Sequence, residues 1–308
     1  MKRFTRITLW LSLIFVLIGI AIAGTGVVLG GTRISSVFQE KVGVASFLSL
    51  PFYAMNDKMI KEHTEDDTVR ETGELGKAEE IKKINLDMEA ASFRLVPYEG
   101  DTFKYESNKT GYFIWEQDKD SLQMESKHNY WKSIFRRDIR SVPQFILYVP
   151  QKAELEEVEI YCGMGEGDIA NIYTKDLYAQ VGMGNMKIDG SSAANSKLYV
   201  DAGELIMTGA TLNNTEISVV VGNVQFEGSV NGDLRADCDM GSISMYLEQE
   251  KEDFQYDIQC DMGTVRIDKE DYSSSLRARL KDENGGIQKM EIVCGMGNVD
   301  VMFNKNGG

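Results

Sequence analysis

The chain has 308 residues, 43% of them hydrophobic and 26% charged, with a formal net charge of −15. That length and apolar fraction provide for a packed core and exclude wholesale disorder. Residues 1–33 hold Lys2, Arg3, Arg6 and Arg33 and no acid, so the rest of the chain carries −19, a charge that repels phosphates and excludes nucleic acid as a partner.

Residues 1–33 read as a cytoplasmic tip and a transmembrane helix. The 26 residues from Ile7 to Thr32 are uncharged and dense in Leu, Ile and Val, where about 20 suffice to cross a bilayer core. Lys2, Arg3 and Arg6 keep the N-terminal end in the cytoplasm by the positive-inside rule, which places everything after Arg33 outside as a single-pass membrane protein. The competing reading is a signal peptide cleaved after Ala23, since Ala21-Ile22-Ala23 has the small-x-small form. Against it, the apolar run continues through Val27, Val28 and Leu29. Both readings export the domain. Residues 34–80 lack a sustained period, and the stretch from Lys61 to Glu80 is charged and Thr-rich, as expected of a juxtamembrane stalk.

Residues 81–157 are expected to hold a degenerate first coil and a cap or insertion, and residues 158–308 a repeat. Glycines recur at Gly165, Gly184, Gly203 and Gly222, then at Gly241, Gly263 and Gly297, the first four intervals being 19 residues and the last two 22 and 34. Three positions before each glycine stand Cys162, Val181, Val200, Val219, Cys238, Cys260 and Cys294. Five before are Ile160, Ala179, Leu198, Ile217, Ala236, Ile258 and Ile292. Two after come Gly167, Met186, Leu205, Val224, Ile243, Val265 and Val299, and four after come Ile169, Ile188, Met207, Phe226, Met245, Ile267 and Val301. Apolar residues spaced by two share one face of a strand. The residue after the glycine is always polar, so each unit is two short strands around a bend that needs φ > 0 or a close approach of backbones. Such a unit buries its apolar face only by stacking on its neighbours at about 4.8 Å. The expected fold is all-β, a parallel β-solenoid (β-helix) with coils of about 19 residues. Upstream, Leu86, Met88, Ala90, Ala91, Phe93 and Leu95 fit the same register with Ala91 in the glycine's place. The excursion from Lys269 to Gly286 reads as an outward loop.

With this periodicity, Ile84-Asn85-Leu86-Asp87-Met88, the Tyr148-Val149-Pro150 before the first strong coil, and corners such as Gly222-Asn223-Val224 and Gly167-Asp168-Ile169 resemble the bacterial membrane-anchored β-strand-repeat family named for adhesins, a domain of unknown function. The resemblance spans about residues 82–303. It implies a cell-envelope protein and offers no catalytic residues to carry over.

The four cysteines share the inward column, where buried thiols act as small hydrophobes. Cys238, Cys260 and Cys294 fall on successive coils in chain order, which leaves a disulfide and their redox state open. The corner acids Asp168, Asp201, Asp239, Asp261 and Asp300 read as a solvated face, with weak calcium binding or a polysaccharide-cleaving pair as the sharper alternatives. Met164, Met183, Met240, Met262 and Met296 precede the glycines and read as corner filling in the core, with an exposed copper-binding stripe as the alternative. His63 and His128 stand apart from any nucleophile, and Gly163-x-Gly165-x-Gly167 belongs to the repeat. No catalytic, cofactor or metal residue is therefore assigned. The leading function is a non-enzymatic envelope scaffold or adhesin-like interaction module, held to the lipid bilayer by residues 7–32 and contacting wall polymer or another membrane protein. An accessory or sensor of an envelope-stress system is the alternative, and a polysaccharide-active enzyme the third.

Overall fold

The structure, a computed structural model, describes residues 71–126, 143–268, 270–272, 278–282 and 286–303. The expected membrane span, residues 34–70 of the expected stalk and both histidines lie outside them. Among the described residues no helix is long and apolar enough to cross a membrane, and all regular structure is strand apart from a single 3-10 turn at Lys251–Asp253.

The N-terminal strands are β1 (Glu71–Lys77), β2 (Lys83–Met88), β3 (Ser92–Tyr98), β4 (Thr102–Ser107), β5 (Phe113–Asp118), β6 (Ser121–Ser126) and β7 (Gln144–Pro150). The middle of the chain supplies β8 (Leu155–Cys162), β9 (Glu166–Ala170), β10 (Tyr173–Val181), β11 (Asn185–Asp189), β12 (Ser192–Val200), β13 (Glu204–Val219), β14 (Asn223–Val230), β15 (Leu234–Cys238) and β16 (Ser242–Leu247). The C-terminal strands are β17 (Phe254–Cys260), β18 (Thr264–Ile267), β19 (Glu270–Asp271), β20 (Ala278–Asp282), β21 (Gln288–Cys294) and β22 (Asn298–Phe303).

In the middle, apolar alternation and a constant period put each strand beside its counterpart one coil on, in parallel and in register. Cys162 pairs with Val181, Val181 with Val200, Val200 with Val219, and Val219 with Cys238. Beyond the corner, Met186 pairs with Leu205, and Leu205 with Val224. The inward columns predicted from the sequence are buried throughout, most of them below 2% exposed. Their one glycine, Gly167, pairs with Phe93 of the neighbouring coil, and a Cβ on Gly167 would sit 2.5 Å from Phe93 Cζ. The aromatic ring fills the space that the other coils fill with an aliphatic side chain.

The corner glycines answer the choice left open by the sequence. They are absent from the left-handed backbone positions. Close approach is what they provide: a Cβ on Gly203 would collide with Gly184 O and stand 2.6 Å from Val181 Cγ1, and Gly222 and Gly241 meet their predecessors in the same way. Stacked corners are tied directly, Gly184 N–H donating to Gly163 O at 2.8 Å and Asn185 N–H to Gly165 O at 3.0 Å. Left-handed residues mark a second bend in three consecutive middle coils. Asn171, Gly190 and Gly209 have φ of 51°, 61° and 59°, and Asn and Gly are the residues that adopt this conformation at least cost.

At both ends the order in space departs from the order in the chain. The segment expected as the first coil, β2 and β3, is not outermost: β6 and β7 pair parallel to its far side. Antiparallel β5 and β4 then close over β6 and β7, and β1 pairs antiparallel with β4, which brings residues 71–77 into the β domain. At the other end β21 and β22 insert between the coil of β15 and β16 and the coil of β17 and β18. The polar excursion expected as an outward loop contains β20 and β19, which pair antiparallel with β17 and β18 and cover the end of the stack. An uncovered solenoid end would offer unpaired backbone groups to other chains.

Candidate functional site

The inward column puts Cys162, Cys238, Cys260 and Cys294 in the core, each about 1% exposed or less, and all four are free thiols. In space the order is Cys238, Cys294, Cys260, because the last coil in the chain is inserted. The expectation that Cys238 and Cys260 lie on adjacent coils is thereby corrected. The column alternates between Val and Cys for a steric reason. Val200 Cγ1 lies 2.5 Å from where a Cβ would stand on Gly222, and Cys294 Sγ lies equally close to that of Gly263. A γ-branch or a sulfur fills the notch left by the next coil's glycine. Burial pushes the Cys162 thiol up to about 12 and raises Cys260. Cys294 is raised first by its contact with Cys238 and then by burial, and the same contact lowers Cys238, so the raised thiols are Cys162, Cys260 and Cys294. A thiol held protonated in apolar surroundings is a poor nucleophile and a poor metal ligand.

The corner acids do not converge. Asp168 pairs with Arg94 at 3.3 Å, Asp201 accepts from Gln180 Nε2 at 3.1 Å, and Asp300 lies 3.8 Å from Arg266. A stack that followed the chain order would put Asp239 and Asp261 side by side. The coil carrying Gly295 lies between them, since Gly295 N–H donates to Cys238 O and Met262 N–H to Gly295 O. Two coil spacings, about 10 Å, keep these like charges apart. Among the described residues no group of three or more His, Cys, Asp or Glu is arranged to hold a metal ion.

The methionine column is corrected as well. Met183, Met240, Met262 and Met296 are exposed, not core, and Met164 is half-buried. The corner turns the side chain before each glycine outward, because its neighbours three before and two after already occupy the interior.

Sequence reasoning missed the face formed by the outward columns. On β8, β10 and β12 the residues that alternate with the core are Glu159, Tyr161, Tyr178, Gln180 and Tyr199, all half-buried. The Tyr178 and Tyr199 rings lie 5.4 Å apart, Tyr178 O–H donates to Gln180 Oε1 at 2.9 Å, and Gln180 Nε2 donates onward to Asp201. Asn85 Nδ2 donates to Glu159 at 2.7 Å. Burial is the first cause that raises Tyr161, Tyr178, Tyr199 and Glu159 above their ordinary values. Flat aromatic area beside ordered amides and carboxylates suits a ligand with both apolar faces and hydroxyls. The signal was present in the period-two spacing of the tyrosines, but only the inward half of the alternation carries a repeat.

The family model described as Toastrack DUF4097 matches residues 81–302. None of the curated proteins matches. Among solved structures, a proposed lipid binding protein from Parabacteroides distasonis is similar at 13% identity and a TM-score of 0.37, over 76% of this chain and 97% of that one. A proposed adhesin from Bacteroides fragilis is similar at 11% identity and a TM-score of 0.35, over 76% and 97%. A proposed cell adhesion protein from Clostridium sporogenes is similar at 11% identity and a TM-score of 0.25, over 77% and 99%.

Proposed function

The chain belongs to the Toastrack DUF4097 family, and from that premise we propose that it is a non-enzymatic interaction module of the cell envelope. Residues 7–32 anchor it as a single-pass protein of the cell membrane, with the N-terminus cytoplasmic and the β-solenoid outside. Its ligand is neutral wall glycan, bound on the face of Tyr161, Tyr178, Gln180 and Tyr199. The observation that supports this reading is the close, tilted Tyr178–Tyr199 pair with its oriented amide. Sugar rings offer apolar C–H faces to such aromatics and hydroxyls to Gln180 and Asp201, and the acidity of the domain disfavours polyanionic polymers.

The test is retention of the full-length chain on isolated wall glycan. Tyr178→Ala with Tyr199→Ala is expected to weaken binding about tenfold or more, the loss of ~1.4 kcal/mol or more of contact, with the fold intact by circular dichroism. Absence of retention, or retention untouched by the double substitution, overturns the assignment. For the anchor, the protein is expected to resist carbonate extraction with Lys2 still present, and a mature chain beginning at Gly24 would refute it.

A further inference from the structure

The three coils nearest the C-terminal end of the stack each present a methionine at the same corner. Met296 N–H donates to Asp239 O at 2.6 Å and Met262 N–H to Gly295 O at 2.8 Å, which orders the three in space as Met240, Met296, Met262. Their exposures are 47%, 56% and 66%. Adjoining strands are about 4.8 Å apart, and a methionine side chain has three rotatable bonds, so three thioethers rising from one corner reach a common point above it. The middle of the stack lacks this array, because Ala202 and Val221 hold the position there.

The thioether carries no proton and is a neutral, polarizable donor at any pH. Ligands of this kind select copper(I) over hard cations. No lysine or arginine occupies the three corners, residues 239–241, 295–297 and 261–263, while Asp239 and Asp261 stand beside the methionines. Both carboxylates are exposed, so they add a negative field at the corner while the sulfur atoms supply the ligands. We propose that Met240, Met296 and Met262 form a surface site for a soft monovalent cation, copper(I) or silver(I). The ion arrives already in that oxidation state and is bound as it comes, so no electron transfer is involved.

Silver(I), which is not readily oxidised, is the probe. It is titrated into the full-length protein carrying 13C-labelled methionine methyl groups. Stoichiometric binding is expected, with shifts concentrated at Met240, Met296 and Met262. The variant M240L/M262L/M296L keeps apolar bulk and removes the sulfur, and is expected to weaken binding at least tenfold. The variant C238V/C260V/C294V, which places the column's other residue at each buried position, is expected to bind as the wild type does. Loss of binding in the cysteine variant, whether or not the methionine variant also loses it, assigns the ion to the buried thiols and overturns the proposal. Undiminished binding in the methionine variant, or no binding by the wild type, overturns it too.

Discussion

In the middle of the stack an ion pair such as Lys175–Glu156 joins residues 19 apart in the chain. At the C-terminal end Arg235 reaches Glu291, 56 residues away, and at the N-terminal end Arg94 reaches Asp168, 74 away. The layers are alike, with the same buried columns and the same parallel register, but the connections differ. A middle coil is closed by a short bend. An end coil waits for the chain to travel out, lay down antiparallel strands and return. Closing a longer loop costs more entropy, though only slowly with length. The return has a structural benefit, since β5, β4, β20 and β19 cover edges that a simple spiral would leave open.

The largest effect should come from removing residues 287–308. In a spiral that followed the chain this would peel off one terminal coil. Here β21 is what β17 pairs with on its inner side, so amide protection of Phe254–Cys260 in hydrogen exchange should collapse although those residues are retained. Protection that survives the truncation would mean that β17 packs directly on β15.

A smaller but sharp contrast lies in the corners. Gly203→Ala drives a methyl into the Gly184 carbonyl, and backbone cannot yield as a side chain can. A loss of more than about 2 kcal/mol in denaturant unfolding is expected. The reverse change at the N-terminal end, Ala91→Gly, meets no such obstacle and should cost about 1 kcal/mol, from the buried methyl and the added freedom of the unfolded chain. Equal costs at the two sites would show that corners in the middle and at the end are equally crowded.

Glu204 tests the electrostatics of a middle corner. It is half-buried, and burial raises its carboxyl above the ordinary value. A raised carboxyl destabilises the fold wherever the group is ionised, so the penalty is full above the folded value and disappears as the pH falls below the unfolded one. Glu204→Gln should therefore raise the melting temperature at pH 7, and the gain should vanish in acid. A gain independent of pH would point to packing instead of charge.

The smallest effect is expected where Val and Cys exchange. Cys238→Val places at an end coil the residue that Val219 supplies one layer away, and stability should change by less than about 1 kcal/mol. A larger loss would show that the contact between Cys238 and Cys294 contributes more than filling the notch of Gly297.

The candidate surface was only half legible. Tyr161, Tyr178 and Tyr199 are visible in the sequence as residues alternating with the core, yet outward positions obey no repeat, because water accepts almost any polar side chain there. The methionine column was visible as a column and misplaced. Its periodicity is real, but a corner reverses the side on which the odd residue of a strand emerges, and period-two reasoning does not carry through a bend. The second bend at Asn171, Gly190 and Gly209 went unread for a related cause: the constant interval is satisfied by one bend per unit as well as by two.

Alternation and the 19-residue interval by themselves determined an all-β stack and its inward residues. Both are local properties, and burial of Ile160, Leu198 or Val224 follows from the two-residue period of any strand with one wet face. Only the tertiary structure decided which coil lies beside which at the ends, and hence that Met296 separates Met240 from Met262 and that Gly295 separates Asp239 from Asp261. Every coil presents nearly the same apolar columns, so any coil can stack on any other. The choice among them is made by the lengths of the connections and by the antiparallel strands that close the ends, which no single repeat encodes.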